Sequence, residues 1–128
     1  MWTDAENAFD VDWARNLGVD LDRLILQRYT ITADNMEAVL DDSLAIIKTS
    51  QAINMWVIDS IGALLPKKDV YDSKDKDKSL EGTKMLNLQV KLGEFFRKAN
   101  ILISPNGDYP GCAVICIGQV DEKLSLVA

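Results

Sequence analysis

Apolar positions along this chain follow two periods. Met36, Val39, Leu40, Leu44 and Ile47 recur in steps of three and four, as one face of a helix requires. Asp34 opens that stretch and Glu37 stands three residues later, a capping-box pattern at a helix start. Met85, Leu88, Leu92, Phe95, Phe96 and Ala99 predict a second, longer helix over residues 80–99. Other apolar stretches are short. Residues 53–59 close on Asp59 and Ser60 and read as a buried parallel strand, which would deliver Asp59 to the carboxyl end of a sheet. Residues 113–119 read as another buried strand, residues 1–4 as the end of one, and residues 24–26 as a short one. Residues 12–17 form a short helical stretch, with Gly18 placed to cap it in a left-handed conformation. Strands alternating with helices predict a three-layer α/β domain with a largely parallel sheet.

Three stretches lack such periods. Residues 67–79 alternate Lys and Asp around one aromatic, Tyr71, and predict a mobile loop with too little apolar surface to offset its ordering entropy. Ser104-Pro105-Asn106-Gly107-Asp108-Tyr109-Pro110-Gly111 is a dense turn signal. Residues 124–128 read either as a last strand or as a fraying end.

A length of 128 residues predicts one domain. No apolar run approaches the roughly 18 residues of a membrane span, and no signal-peptide pattern opens the chain, so a cytoplasmic location is the expectation. The two cysteines, Cys112 and Cys116, would lie about 13 Å apart on one strand, too far for a disulfide. With no histidine, zinc binding and histidine acid–base chemistry are not expected.

The net charge of −6 is unevenly spread. Residues 1–66 hold four bases against eleven acids, whereas residues 67–98 hold nine bases against six acids. A nucleic-acid partner would therefore meet the middle third. Lys67, Lys68, Lys74, Lys76 and Lys78 lie in the polar stretch, and Lys84, Lys91 and Lys98 repeat on one helix face. Either set reads as a solvated surface or as a DNA contact.

Asp4, Glu6, Asp10 and Asp59 fall at or just after predicted strand ends. Parallel strands share one carboxyl edge, so at least Glu6 and Asp59 are expected to converge there. Acids at such an edge bind Mg²⁺ or orient a water; the alternative is a set of solvated strand-end carboxylates. Trp13, at a helix start, is either a core or rim residue or a stacking platform. Gln119, closing a strand, is a candidate ligand sensor.

Taken together, these segments resemble the ATPase core of the RecA-type recombinase family, bacterial or phage. Thr3-Asp4-Ala5-Glu6-Asn7-Ala8-Phe9-Asp10 resembles the segment carrying the family's water-activating glutamate, and the likeness runs on through Trp13-Ala14-Arg15-Asn16-Leu17-Gly18-Val19-Asp20. Met55-Trp56-Val57-Ile58-Asp59-Ser60-Ile61-Gly62-Ala63-Leu64-Leu65-Pro66 resembles the Mg²⁺-site strand and the turn after it. Residues 67–79 stand in the place of the first DNA-binding loop. Val114-Ile115-Cys116-Ile117-Gly118-Gln119 resembles the strand whose terminal glutamine senses the γ-phosphate. The resemblance covers residues 2–103 and 112–120, in the family's order.

The resemblance implies ATP and Mg²⁺ as cofactors and single-stranded DNA as partner. It implies that Glu6 polarises the attacking water and that Asp59 holds Mg²⁺ through water, with Ser60 beside it. It places Asp10 and Trp13 near the adenine, where the family usually has Tyr, and has Gln119 couple nucleotide state to the DNA-binding loops. Lys67, Lys68, Lys74, Lys76, Lys78, Lys84 and Lys91 become DNA-contact candidates.

Three departures accompany it. No glycine is followed directly by lysine, so the phosphate-binding loop is missing. Residues 121–128 do not resemble the second DNA-binding loop, and residues 104–111 look inserted. The expectation is thus an internal piece of a RecA-like NTPase core spanning residues 1–128, not a competent ATPase by itself. Two other readings stay open: a non-catalytic interaction module that pairs with a complementing fragment or with itself, and a receiver-like phospho-acceptor domain with Asp59 as acceptor.

Overall fold

A computed structural model describes residues 1–28, 36–64 and 80–118, with the backbone alone for residues 80–88. Its elements are β1 (Trp2–Asp4), α1 (Val11–Asn16), β2 (Leu26–Arg28), α2 (Met36–Ser50), β3 (Met55–Asp59), α3 (Leu80–Ile103) and β4 (Ala113–Ile117). Single 3-10 turns follow α1 at Leu21–Arg23 and β3 at Ile61–Ala63. The strands form one parallel sheet in the order β2-β1-β3-β4. In register, Asp4 lies between Arg28 on β2 and Asp59 on β3, so three charged strand ends meet at the carboxyl edge. This is the α/β, largely parallel fold that the sequence predicts.

Packing follows from strand alternation. Thr3, Trp56 and Ile58 are fully buried and point to the side covered by α2 and α3. There α2 contributes Met36, Val39, Leu40, Leu44 and Ile47, the residues its helical spacing selects, and α3 contributes Phe95 and Ala99. Trp56 and Phe95 meet edge to face with ring centroids 5.5 Å apart, a favoured aromatic geometry.

Polar groups inside this core are paired, as buried donors and acceptors must be. Trp56 Nε1 donates to Thr3 Oγ1 at 2.8 Å, and Thr3 Oγ1 donates to Gln27 Oε1 at 2.9 Å. Ser43 Oγ lies 2.6 Å from Gln27 Oε1 and 2.8 Å from Val39 O. The network ties β3, β1 and β2 to α2.

Three sequence expectations shift. The strand expected at residues 24–26 lies two residues later, because Gln27 points inward and is satisfied by Thr3 and Ser43. An inward glutamine is invisible to a search for apolar residues. The long helix runs past Ala99 to Ile103, where Leu102 and Ile103 still pack on the core. Phe96 lies at the rim of its stripe, 45% exposed, with its ring centroid 5.3 Å from that of Phe95.

The strand expected to be buried at residues 113–119 is described as Ala113–Ile117 and alternates exposed with half-buried positions. Val114 and Cys116 pack toward the core, whereas Ile115 and Ile117 face away from α2 and α3. Cys112 precedes this strand, and both cysteines are free thiols. The helix cap expected at Asp34 and the polar stretch 67–79 lie outside the described residues.

The turn at residues 104–111 is built rather than loose. Asn106 and Tyr109 exchange two backbone hydrogen bonds of 3.0 Å. Tyr109 Oη, buried, donates to Ile53 O at 2.8 Å and so fastens the turn to the entry of β3. No helix among the described residues is long and apolar enough to cross a membrane.

Candidate functional site

β1 and β3 end side by side, and the chain beyond each is held in a defined shape. After β1, the buried Asp4 accepts from the Ala8 and Phe9 N–H groups at 3.0 Å each. Arg28 braces the same loop: its Nη2 donates to Phe9 O at 3.0 Å and its Nε lies 4.0 Å from Asp4 Oδ2. Asp4 is therefore a scaffold residue, although its sequence position groups it with the candidate site acids. Ala5 N donates to Asp59 O at 2.7 Å, which fixes the loop after β1 against the end of β3.

That arrangement brings Glu6 to Ser60. Ser60 Oγ donates to Glu6 Oε1 at 2.5 Å across 54 residues of sequence. Ser60 is buried and follows Asp59 through a cis peptide bond, whereas Glu6 is exposed. The Asp59 carboxyl is pushed above its ordinary range, first by desolvation and then by the negative charges of Glu6 and Asp4. The Glu6 charge thus reaches Asp59, and Ser60, the residue after Asp59, hydrogen-bonds Glu6.

Asp10 caps α1, accepting from Trp13 N at 2.9 Å. The cap aims the first turn of α1 so that Trp13 stands 63% exposed. Gly18, at φ +88°, reverses the chain after the helix, as its position predicts. An open cleft of about 350 Å³ runs between α1 and the sheet, lined by Trp2, Phe9, Asp10, Trp13, Leu17 and Asp59. Its lining combines the aromatic Trp2, Phe9 and Trp13 with the acidic Asp10 and Asp59. Trp2 is a member that sequence reading misses. Its ring stands 5.3 Å from Phe9, and its buried Nε1 has no hydrogen-bond partner among the described residues. A tryptophan that opens a strand carries no local signal of what it faces.

Of the lysines, Lys91 lies on α3 with Nζ 3.1 Å from Glu94 Oε2, and Lys98 has Nζ 3.9 Å from Asp41 Oδ1. Both pairs are solvent-accessible. Lys84 is in the same helix with its side chain undescribed, while Lys67, Lys68, Lys74, Lys76, Lys78 and Gln119 lie outside the described residues.

Among the described residues no three Asp, Glu, Cys or His side chains gather into a metal-holding cluster. What the edge offers is Asp59 and Ser60 oxygens with Glu6 alongside. Such hard donors suit Mg²⁺, and they are too few to displace its water shell.

Comparison with known proteins agrees with this geometry. The sequence profile of the RecA N-terminal domain matches residues 1–128. The chain is 34% identical over 125 residues to Protein RecA of Acholeplasma laidlawii, covering 97% of this chain and 33% of that protein. It is likewise 34% identical over 125 residues to Protein RecA of Sulfurimonas denitrificans, covering 97% of this chain and 32% of that one. For Protein RecA of Clostridium tetani the identity is 33% over 125 residues, with 97% and 31% covered. The chain thus spans about a third of the length of these relatives. A parallel sheet whose carboxyl edge joins Glu6, Asp59 and Ser60, matched end to end by one domain family, leads to a single assignment: this chain belongs to the RecA N-terminal domain family.

Proposed function

We propose that the chain supplies part of the ATPase core of a cytoplasmic DNA strand-exchange recombinase, acting in homologous recombination and repair. The observation that carries this reading is the meeting of Glu6 with Ser60 and Asp59 at the carboxyl edge of β1 and β3, beside the cleft of Asp10 and Trp13. Residues 1–128 act as one partial core domain.

In this reading each residue has one task. Glu6, exposed at the loop after β1, polarises the attacking water. Ser60 holds the Glu6 carboxylate in place. Asp59 would hold a hydrated Mg²⁺ through water, supplying the negative charge that attracts it. Mg²⁺, when bound, neutralises charge on the nucleotide phosphates. Trp13 offers a stacking face for adenine, Asp10 lies beside it, and Gln119 relays nucleotide state. Lys67, Lys68, Lys74, Lys76, Lys78, Lys84 and Lys91 supply the single-stranded DNA contact.

Phosphate binding is the weak part of this set. No glycine in the sequence is followed by lysine, so the backbone cradle and cation that hold phosphates in phosphate-loop enzymes have no counterpart. ATP·Mg²⁺ should therefore bind no tighter than about millimolar, near −4 kcal/mol. Trp13 is the most exposed of the three tryptophans, so titration with ATP·Mg²⁺ should quench its emission, and Trp13→Phe should remove the response. A folded chain that gives no response to roughly 10 mM nucleotide sinks the nucleotide site. A micromolar constant by calorimetry shows that another phosphate site exists.

A second reading, a non-catalytic module that pairs with a complementing fragment, is favoured by one observation. On the side of the sheet away from α2 and α3, Met55 is 54% and Ile115 46% exposed, and neighbouring apolar side chains left open in this way are characteristic of an interface.

A further inference from the structure

Arg28 ends β2, two strands away from Asp59, yet it reaches the loop that carries Glu6. Arg28, Asp4 and Asp59 are register partners across β2, β1 and β3, so their side chains leave the same face of the sheet. The loop from Ala5 to Asp10 is anchored at both ends. Ala5 N donates to Asp59 O at 2.7 Å, and Asp10 caps α1. Between them Asn7 takes φ +54°, a left-handed turn that asparagine tolerates, and the Ala8 and Phe9 N–H groups come back onto Asp4 at 3.0 Å each. Phe9 is thereby held twice, its N–H by Asp4 and its C=O by Arg28 Nη2 at 3.0 Å. Arg28 Nε stands 4.0 Å from Asp4 Oδ2, too far for a hydrogen bond, so that contact acts through charge. A guanidinium carries its N–H groups in one rigid plane. A single group thus sets the far end of the loop against both β2 and the buried Asp4 carboxylate. Glu6 lies between the two anchored stretches, where it meets Ser60 Oγ at 2.5 Å.

We propose that Arg28 is a positioning residue for Glu6: by gripping Phe9 O while it faces Asp4, it fixes the loop that presents the Glu6 carboxylate to Ser60. Arg28 touches neither Glu6 nor Ser60 through any bond described above; it acts through the loop backbone. Its half-exposed side chain would contribute little to stability as a surface ion pair, so its weight falls on geometry. This role bears on chemistry only if Glu6 polarises the water, as proposed above, but it is measurable without nucleotide.

The test is the coupling between Glu6 and Ser60, measured by a double-mutant cycle of Glu6→Ala and Ser60→Ala in urea, once with Arg28 and once with Arg28→Met. An arginine that only adds stability lowers all four proteins alike and leaves the coupling as it was. A positioning arginine takes the coupling with it, to below about half of its value in the Arg28 background. Amide hydrogen exchange of Arg28→Met adds a local readout. The Ala8 and Phe9 amides should exchange roughly tenfold faster or more, while Ile58, buried in the middle of the sheet, keeps its protection and reports an intact fold. Arg28→Gln, which loses the charge and is too short to span both partners, serves as a second variant with the same expectation. Equal coupling in the two backgrounds overturns the proposal, as does unchanged exchange at Ala8 and Phe9. A coupling of zero with Arg28 in place also overturns it, since there is then no contact to position. If the coupling falls as expected and the chain gives no response to ATP·Mg²⁺, Arg28 still positions Glu6, and it is the nucleotide reading that fails.

Discussion

Ser60 Oγ and Glu6 Oε1 lie 2.5 Å apart, joining the turn after β3 to the loop after β1. The bond has one buried partner and one exposed partner. Its energetic weight therefore rests on satisfying the Ser60 hydroxyl rather than on Glu6, which water could solvate. Ser60→Ala should destabilise by about 1 kcal/mol, as should Glu6→Ala, with a coupling of roughly 0.5–1.5 kcal/mol in a double-mutant cycle. Urea unfolding of the four proteins measures it. A coupling near zero would mean the two side chains do not bond in solution.

Asp59 gives a pH test with a definite sign. Its folded pKa is raised above the ordinary value of 3.8, by desolvation and then by Glu6 and Asp4. A raised acid holds more protons folded than unfolded, so stability falls as pH rises from that value through the folded pKa. The penalty is complete above the folded pKa and absent below the unfolded one. Asp59→Asn should therefore stabilise the chain at neutral pH and lose that advantage on acidification. Because Asp59 is partly solvated, the gain is small. Denaturation midpoints of both proteins at neutral and acid pH decide it; a variant equally or less stable at neutral pH contradicts the reading.

The 104–111 turn should be integral to the domain. Tyr109→Phe removes the 2.8 Å bond to Ile53 O and leaves a buried carbonyl short of a donor, costing about 1–2 kcal/mol. Gly111 is more demanding. Its φ is +94°, and an added Cβ would lie 2.8 Å from Ile103 O, a backbone atom that also accepts from Cys112 N. Gly111→Ala should cost at least about 2 kcal/mol. Thermal melts that show neither loss would mean the turn is an appendage.

If the proposed single-stranded DNA contact is made by this chain, binding should be weak and independent of sequence, and it should fall steeply with salt, as phosphate contacts do. Lys84→Glu with Lys91→Glu reverses two charges of the α3 face and should abolish binding at low salt if that face contributes. Lys91 already stands against Glu94, which lessens its share. Anisotropy that the double variant leaves unchanged would move the contact to Lys67, Lys68, Lys74, Lys76 and Lys78 or to the residues after Gln119.

The sequence alone determined the elements whose burial is one-sided. Met36, Val39, Leu40, Leu44 and Ile47 mark α2 because a helix packed on a sheet must be apolar on one face, and that periodicity is local. The run ending at Asp59 marks β3 for the same reason, and strands that alternate with helices limited the sheet to a parallel one. The convergence of Glu6 and Asp59 was legible as well, since parallel strands share a carboxyl edge. Tertiary structure decided what depends on partners distant in sequence. Gln27 is a strand residue because Thr3 and Ser43 satisfy it, and Asp4 is scaffold rather than site because the Ala8 and Phe9 amides and Arg28 surround it. Trp2 lines the cleft, and Ile115 is open although its neighbours in sequence read as core, because a strand is buried only where another element covers it. Local pattern reports what a residue is able to bury; which polar group meets which, and which apolar face is left uncovered, is fixed only when the whole chain has packed.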